Sequence, residues 1–350
     1  MQKPFLFMPG TQAVYSCGRE ALFHGIKLLG YLPQKVHMPA YCCRSVLSPF
    51  EKLGIAVRFY DVDERLKPVY EKIEFTTGDV FIAIHYFGIP QDVIFINQLC
   101  KETGLVFIED CAHTLPDPEA KRTAGSTGAF SIFSLRKHFP VPDGGVLVIN
   151  DQQLKERLIS LSSPELRGTT LKRWLVSFLD RFSFTFGFPN TLVLKDMLRD
   201  KIGSGDNTFY KHLADNTAAE ISPVTAQVLS RINIGAVIKI RRENYKYIAE
   251  RLSGLQRVAV PFPSLTDGAV PLAFPILMEN AERVCKLMRK KGVGAGRWPD
   301  YELPESLHLS DFPGTSRWIN SLVLLPLHQD LNAARLDRVV ETLKKAIANV

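Results

Sequence analysis

Three stretches of this chain, FIAIHYFG at 81–88, LVFIEDCA at 105–112 and GVLVIN at 145–150, are nearly unbroken apolar runs of strand length. A strand with one wetted face alternates apolar and polar residues, so a run without alternation belongs to a sheet covered on both faces. Between such runs the spacing turns helical, in GREALFHGIKLLG (18–30), SVLSPFEKLG (45–54) and VIFINQLCKETG (93–104), and VHMPAY (36–41) and AVRFYDVD (56–63) read as further strands. Strands and helices in this alternation predict an α/β domain on a mainly parallel sheet. Ligands of such sheets bind beyond the carboxyl ends of the strands, which is where Asp61, Asp63, His85, Tyr86, Glu109 and Asp110 fall.

The texture changes after residue 150. From 151 to about 215 the chain is rich in Arg, Lys and aromatic residues with few strand signals, and reads as a helical insertion. From Val237 a long charged amphipathic helix leads to AVPLAFPILM (269–278) and SLVLLPLH (321–328) as strands, and LDRVVETLKKAIANV closes the chain as a helix. Two domains are expected: a large one over 1–235 that includes the insertion, and a small C-terminal α+β domain over 236–350. With 350 residues, 46% of them hydrophobic, the chain is long enough for both cores.

Charge and cysteine usage narrow the function. Forty-three Lys and Arg against 36 Asp and Glu leave a net charge of +7, which favours anionic ligands without naming one. The basic residues are scattered, with no nucleic-acid-binding pattern, and no GxGxxG follows a candidate strand, which disfavours a nicotinamide dehydrogenase. Six cysteines without a CxxC pair or metal-ligand spacing read as reduced thiols, so no metal site is expected. The first residues, MQKPFLFMPG, lack the features of an export signal, and no segment is apolar enough to span a membrane. A cytoplasmic location is expected.

Three features bear on chemistry, each with a plain alternative. Asp110 ends a buried strand, where it could equally cap a helix. CGREAL (17–22) opens a helix with glycine, an arrangement suited to a phosphate but also to any helix start. Ser134 and Lys137 precede the glycine pair of FSLRKHFPVPDGG, which could be a basic surface loop. Taken in chain order, they are the parts that pyridoxal phosphate chemistry needs: donors for the phosphate, an acid for the pyridine nitrogen and a lysine for the aldehyde.

The segments VHMPAYCCRSVLSPFEKLGIAVRFYDVD, HYFGIPQD, VFIEDCAHTL, GSTGAFSIFSLRK and DGG resemble the DegT/DnrJ/EryC1/StrS family of pyridoxal phosphate-dependent aminotransferases, as do ISPVTAQVL, RRENYKYIAERL and LPLHQDL further on. The resemblance implies the two-domain type I aminotransferase fold, with Lys137 holding pyridoxal 5'-phosphate, Asp110 on its pyridine nitrogen and His113 on its oxygen side. It implies Ser134, Gly18 and Arg19 at the phosphate. By the same likeness, an amino donor, typically glutamate, passes its amino group to a keto sugar carried on a nucleotide, in a homodimer; from the residues themselves neither a nucleic-acid partner nor a membrane span is expected. Relatives that work as sugar dehydratases or lyases, or a non-catalytic regulator of the same fold, are the alternatives.

Four departures mark this chain. Many members place more residues between the serine and the lysine. Cys43, with Tyr41 nearby, stands where relatives often carry an aromatic residue stacked on the cofactor ring. Ala218, with Asn216 close by, replaces an asparagine that a neighbouring subunit often sends to the phosphate, and His138 directly follows Lys137. Either Arg136 or His138 is placed to favour the neutral amine of Lys137, because a nearby cation disfavours its protonated form, with a phosphate or surface contact as the plain alternative for Arg136.

Overall fold

The computed structural model describes residues 11–71, 73–159, 221–299 and 307–350. Its main sheet has seven strands: β1 (Thr11–Tyr15), β2 (Lys35–Pro39), β3 (Ala56–Tyr60), β4 (Val80–Ile84), β5 (Val106–Cys111), β6 (Phe130–Ser134) and β7 (Gly145–Ile149). They lie in the order β1-β7-β6-β5-β4-β2-β3, and β2 to β6 pair in parallel. The unbroken runs of the sequence are the inner strands, with every residue of β4, β6 and β7 buried. Strand β3, at the edge, alternates exposed and part-buried positions. Helices α1 (Gly18–Leu28), α2 (Ser48–Leu53) and α3 (Val93–Thr103) supply the cover. Losing a wholly buried ring such as Phe133 would cost about 3–5 kcal/mol.

Two strands depart from the parallel expectation. β7 runs antiparallel to β6, and β1, which the sequence reading missed, runs antiparallel to β7. The reason for the first is length, because the connection 135–144 is too short for the crossover that parallel strands require. Its tight return leaves a single 3₁₀ turn, Leu135–Lys137, at the carboxyl edge of the sheet. Glycine makes the return possible: a Cβ on Gly145 would lie 2.1 Å from the carbonyl carbon of Cys17. The pair DGG thus lets β7 pass against the start of α1, and the N–H of Gly144 donates to the Ser16 carbonyl at 2.8 Å.

After α4 (Gln152–Ile159), the described chain resumes at Ile221 with α5 (Pro223–Leu229) and α6 (Ile234–Leu252). The helical insertion expected at 151–215 lies outside the described residues beyond α4. Strands β8 (Phe274–Leu277) and β9 (Leu322–Leu325) pair antiparallel. With α6, α7 (Ala281–Lys290), α8 (Pro313–Ser321) and α9 (Ala333–Ile347) they form the C-terminal α+β part, whose buried cluster includes Tyr245, Phe274, Val284 and Leu343.

The expected strand 269–278 shortens to β8. Residues 270–272 run instead beside the turn after β4, where the N–H groups of Val270 and Leu272 donate to the carbonyls of Gly88 and Phe87 at 3.0 and 2.8 Å. Gly88, at φ +89°, is required there, since a Cβ would sit 1.9 Å from the Val270 carbonyl oxygen.

Candidate active site

One cleft at the carboxyl edge of the sheet is lined by Gly18, Arg19, Cys43, Asp110, His113, Ser134 and Lys137, together with Cys17, Ala112, Arg136 and Trp298. The six residues that the family resemblance places at the cofactor, Gly18, Arg19, Asp110, His113, Ser134 and Lys137, meet in it together with Cys43. The fold explains the convergence: α1 starts, and β5 and β6 end, at the same edge, and the 3₁₀ turn after β6 carries Lys137 there.

The opening of α1 is built to present backbone donors. Cys17 is its N-cap, in extended conformation and without a side-chain cap, while the Glu20 carboxylate turns back to accept from the Ser16 N–H at 3.2 Å and its hydroxyl at 2.7 Å. First-turn N–H groups lack partners within a helix and, with the helix dipole, favour an anion. Ser134, buried at the end of β6, lines the cleft near that helix start, since the Cβ position of Gly18 lies 3.9 Å from its own Cβ.

Asp110 is buried at the end of β5, and its Oδ1 accepts from the Ala112 N–H at 2.9 Å. Its Oδ2 has no hydrogen-bond partner among the described residues. Burial raises the carboxyl pKa, and the Lys137 ammonium, the Ala112 N–H and His85 offset this only in part. His113 is buried beside it. Its Nδ1 accepts from the Phe87 N–H at 3.3 Å, which places the ring proton of the neutral tautomer on Nε2. Burial, and then the positive charge of Lys137, hold the His113 pKa well below its ordinary value, so the ring is neutral. Phe87 stacks on it at 5.7 Å, and Trp298 meets it edge-on at 4.9 Å.

Not every strand-end polar residue belongs to this cleft. Of Asp61, Asp63, His85, Tyr86, Glu109 and Asp110, only Asp110 lines it. Asp61 accepts from Gly314 and Thr315 at the start of α8, and Asp63 closes a turn through the N–H groups of Arg65 and Lys67. Glu109, next to Asp110 on a strand, points to the opposite sheet face. There it accepts from the N–H groups of Gly125, Thr127 and Gly128 and from His85 Nε2. Burial pushes its carboxyl up, but the His85 bond and charge and the N–H groups of Gly128 and Thr127 outweigh it, and the net shift is downward. His85, Glu109 and Cys111 lie close enough to share a metal ion, yet these hydrogen bonds already occupy the carboxylate.

The aromatic question at Cys43 has a tertiary answer. Tyr41 is wholly buried and donates its hydroxyl to the Trp298 carbonyl at 2.7 Å, so it backs the cleft rather than lining it. The ring that lines the cleft is Trp298, from the C-terminal part, packed at 4.8 Å against Tyr41. Sequence reasoning did not single out this tryptophan. Arg136 and Lys137 are exposed, whereas the His138 side chain is fully buried. Ala218 and Asn216 lie outside the described residues.

The donor set suits pyridoxal phosphate. An incompletely bonded buried carboxylate, a lysine across the cleft and a helix start for an anion lie together, and small Ala112 and Cys43 leave room for a flat ring.

Comparison with known proteins agrees. A dTDP-4-dehydro-2,3,6-trideoxy-D-glucose 4-aminotransferase of Saccharopolyspora spinosa is 24% identical over 352 residues, covering 97% of this chain and 85% of that protein. A UDP-N-acetyl-3-dehydro-alpha-D-glucosamine 3-aminotransferase of Acidithiobacillus ferrooxidans is 27% identical over 152 residues, 41% of each chain. Among solved structures, Helicobacter pylori PseC, an aminotransferase of pseudoaminic acid biosynthesis, aligns with TM-score 0.72 at 16% identity, covering 98% of this chain and 89% of its own. The sequence profile of one family matches residues 11–192 and 206–344, nearly the whole chain, and with the fold it settles kinship: this chain belongs to the DegT/DnrJ/EryC1/StrS aminotransferase family.

Proposed function

We propose that this pyridoxal 5'-phosphate-dependent aminotransferase moves an amino group from an amino acid, with glutamate the expected donor, to a keto sugar carried on a nucleotide. The observation that carries the reading is the meeting of Gly18, Arg19, Asp110, His113, Ser134 and Lys137, from separate parts of the chain, in one cleft. The nucleotide-sugar aminotransferases among its relatives support the acceptor class. The bound cofactor supplies an electron sink that lets a proton leave the donor carbon.

The residues divide the remaining work. The α1 start with Arg19 and Ser134 would hold the phosphate, and Asp110 would keep a proton on the pyridine nitrogen. Neutral His113 offers its Nε2–H as a donor. Lys137 would anchor the cofactor and, once free as an amine, would take the proton from the donor carbon and return it.

The test starts from protein loaded with pyridoxamine phosphate, offered nucleotide-linked keto sugars and simple keto acids in turn. Return of the near-visible absorbance with a keto sugar is expected. Return with keto acids alone would overturn the acceptor assignment, and loss of a sugar hydroxyl without gain of an amine would move the protein to the dehydratases.

The reading extends to organisation. The large domain spans 1–235 and the small one 236–350. The protein works as a homodimer, because Lys137 and Arg136 stand exposed in the single chain and a second copy would close the cleft over them. Light scattering is expected to give twice the chain mass, and a cofactor-loaded active monomer would refute this. A cytoplasmic setting fits six free thiols, four of them buried, and no described helix is long and apolar enough to cross a membrane.

A further inference from the structure

Arg241 is 1% exposed in the middle of α6, an unusual place for a guanidinium. Four neutral oxygens accept from it. Nε donates to Gln329 Oε1 at 3.0 Å, Nη1 to the carbonyls of Pro271 and Leu272 at 3.0 and 3.2 Å, and Nη2 to the carbonyl of His138 at 3.4 Å. Gln329, in the loop after β9, donates its own Nε2 to that same His138 carbonyl at 3.2 Å. The residue so held follows Lys137 directly and closes its 3₁₀ turn.

The other arm of the guanidinium leads to the opposite side of the cleft. The segment 270–272, fixed by Nη1, donates to the carbonyls of Gly88 and Phe87. Phe87 has φ +55°, a left-handed conformation that a non-glycine residue keeps only where neighbours impose it. In that conformation it gives its N–H to His113 Nδ1 and stacks on the imidazole. One side chain of the C-terminal part therefore bears on both the lysine turn and the histidine.

We propose that Arg241 and Gln329 are positioning residues that set the Lys137 turn and His113 in register across the cleft. The inference rests on Lys137 being the cofactor-bearing amine.

The experiment uses holoenzyme carrying Gln329→Leu or Arg241→Lys, the second keeping the charge but losing the planar fork. Four quantities are read: kcat, KM for the amino donor, visible circular dichroism per bound cofactor, and the lysine labelled on borohydride reduction. Since a misplacement of about 1 Å costs on the order of 100-fold, a partial release of the turn is expected to lower kcat about tenfold with KM unchanged. The circular dichroism amplitude should fall with it. Wild-type kcat and dichroism in variants that only melt earlier would make the clamp a stabilising contact and overturn the proposal. If Arg241→Lys does not fold, Gln329→Leu decides alone. A wild-type label on a lysine other than Lys137 overturns the reading of Lys137 and this inference together, whereas a label on Lys137 with unaltered variants overturns the inference only.

Discussion

Lys137→Ala is expected to abolish covalent attachment of the cofactor and to lower transamination by about 1,000-fold or more, the upper range for a lost proton-transferring group and here joined to a lost anchor. Wild-type protein mixed with pyridoxal phosphate should gain a near-visible band, and borohydride should fix the cofactor to the peptide containing SLRKHF. The variant should do neither. Its fold should survive, because the side chain is exposed and the turn is held through the backbone carbonyl of His138 rather than through the lysine side chain. An unchanged melting temperature would therefore separate lost chemistry from lost structure. Lys101 on α3 and Lys121 in an exposed bend do not line the cleft. Labelling of either would overturn the assignment of Lys137 while leaving the cofactor in place.

Asp110→Asn carries the second large effect, and its signs differ between stability and activity. The carboxyl pKa is raised in the folded chain, so at neutral pH the ionised group opposes folding. That penalty is present above the folded pKa and vanishes as pH falls below the unfolded value near 3.8. The amide keeps an acceptor for the Ala112 N–H and removes the charge, so cofactor-free variant should be at least as stable as wild type at pH 7, with the difference closing in acid. Activity goes the other way. A charge-assisted hydrogen bond is worth about 1.5–3 kcal/mol, so cofactor binding should weaken roughly 10- to 100-fold. Turnover should fall by about 100- to 1,000-fold, the cost of removing one preorganised electrostatic partner. Differential scanning calorimetry of the free protein and single-turnover kinetics of the loaded one check both halves. Near-normal turnover would return Asp110 to the role of capping the Ala112 N–H.

Much of the site was legible because its parts are local. Strand-end Asp110, the glycine-led start of α1 and the lysine before DGG each depend on a few neighbouring residues, and family resemblance put them in order. Trp298 and the Arg241–Gln329 clamp were not legible. Trp298 reaches His113 from 185 positions along the chain, and Arg241 reaches the His138 carbonyl across 103, separations at which no periodicity operates.

The sheet divides the same way. Unbroken apolar runs showed in advance that β4, β5 and β7 would be buried, since burial on both faces depends only on the side chains a strand carries. Strand β1 escaped notice because TQAVY is short and mostly half-buried, and it becomes a strand by pairing with β7, which lies more than a hundred residues away. Which strand-end acid faces the cleft was likewise a tertiary matter. Glu109 and Asp110 are adjacent and chemically alike, and the sequence determined that both end a buried strand. The pleat sends them to opposite faces, and only the packed structure decides that one face holds the 125–128 loop and the other the cleft with Lys137.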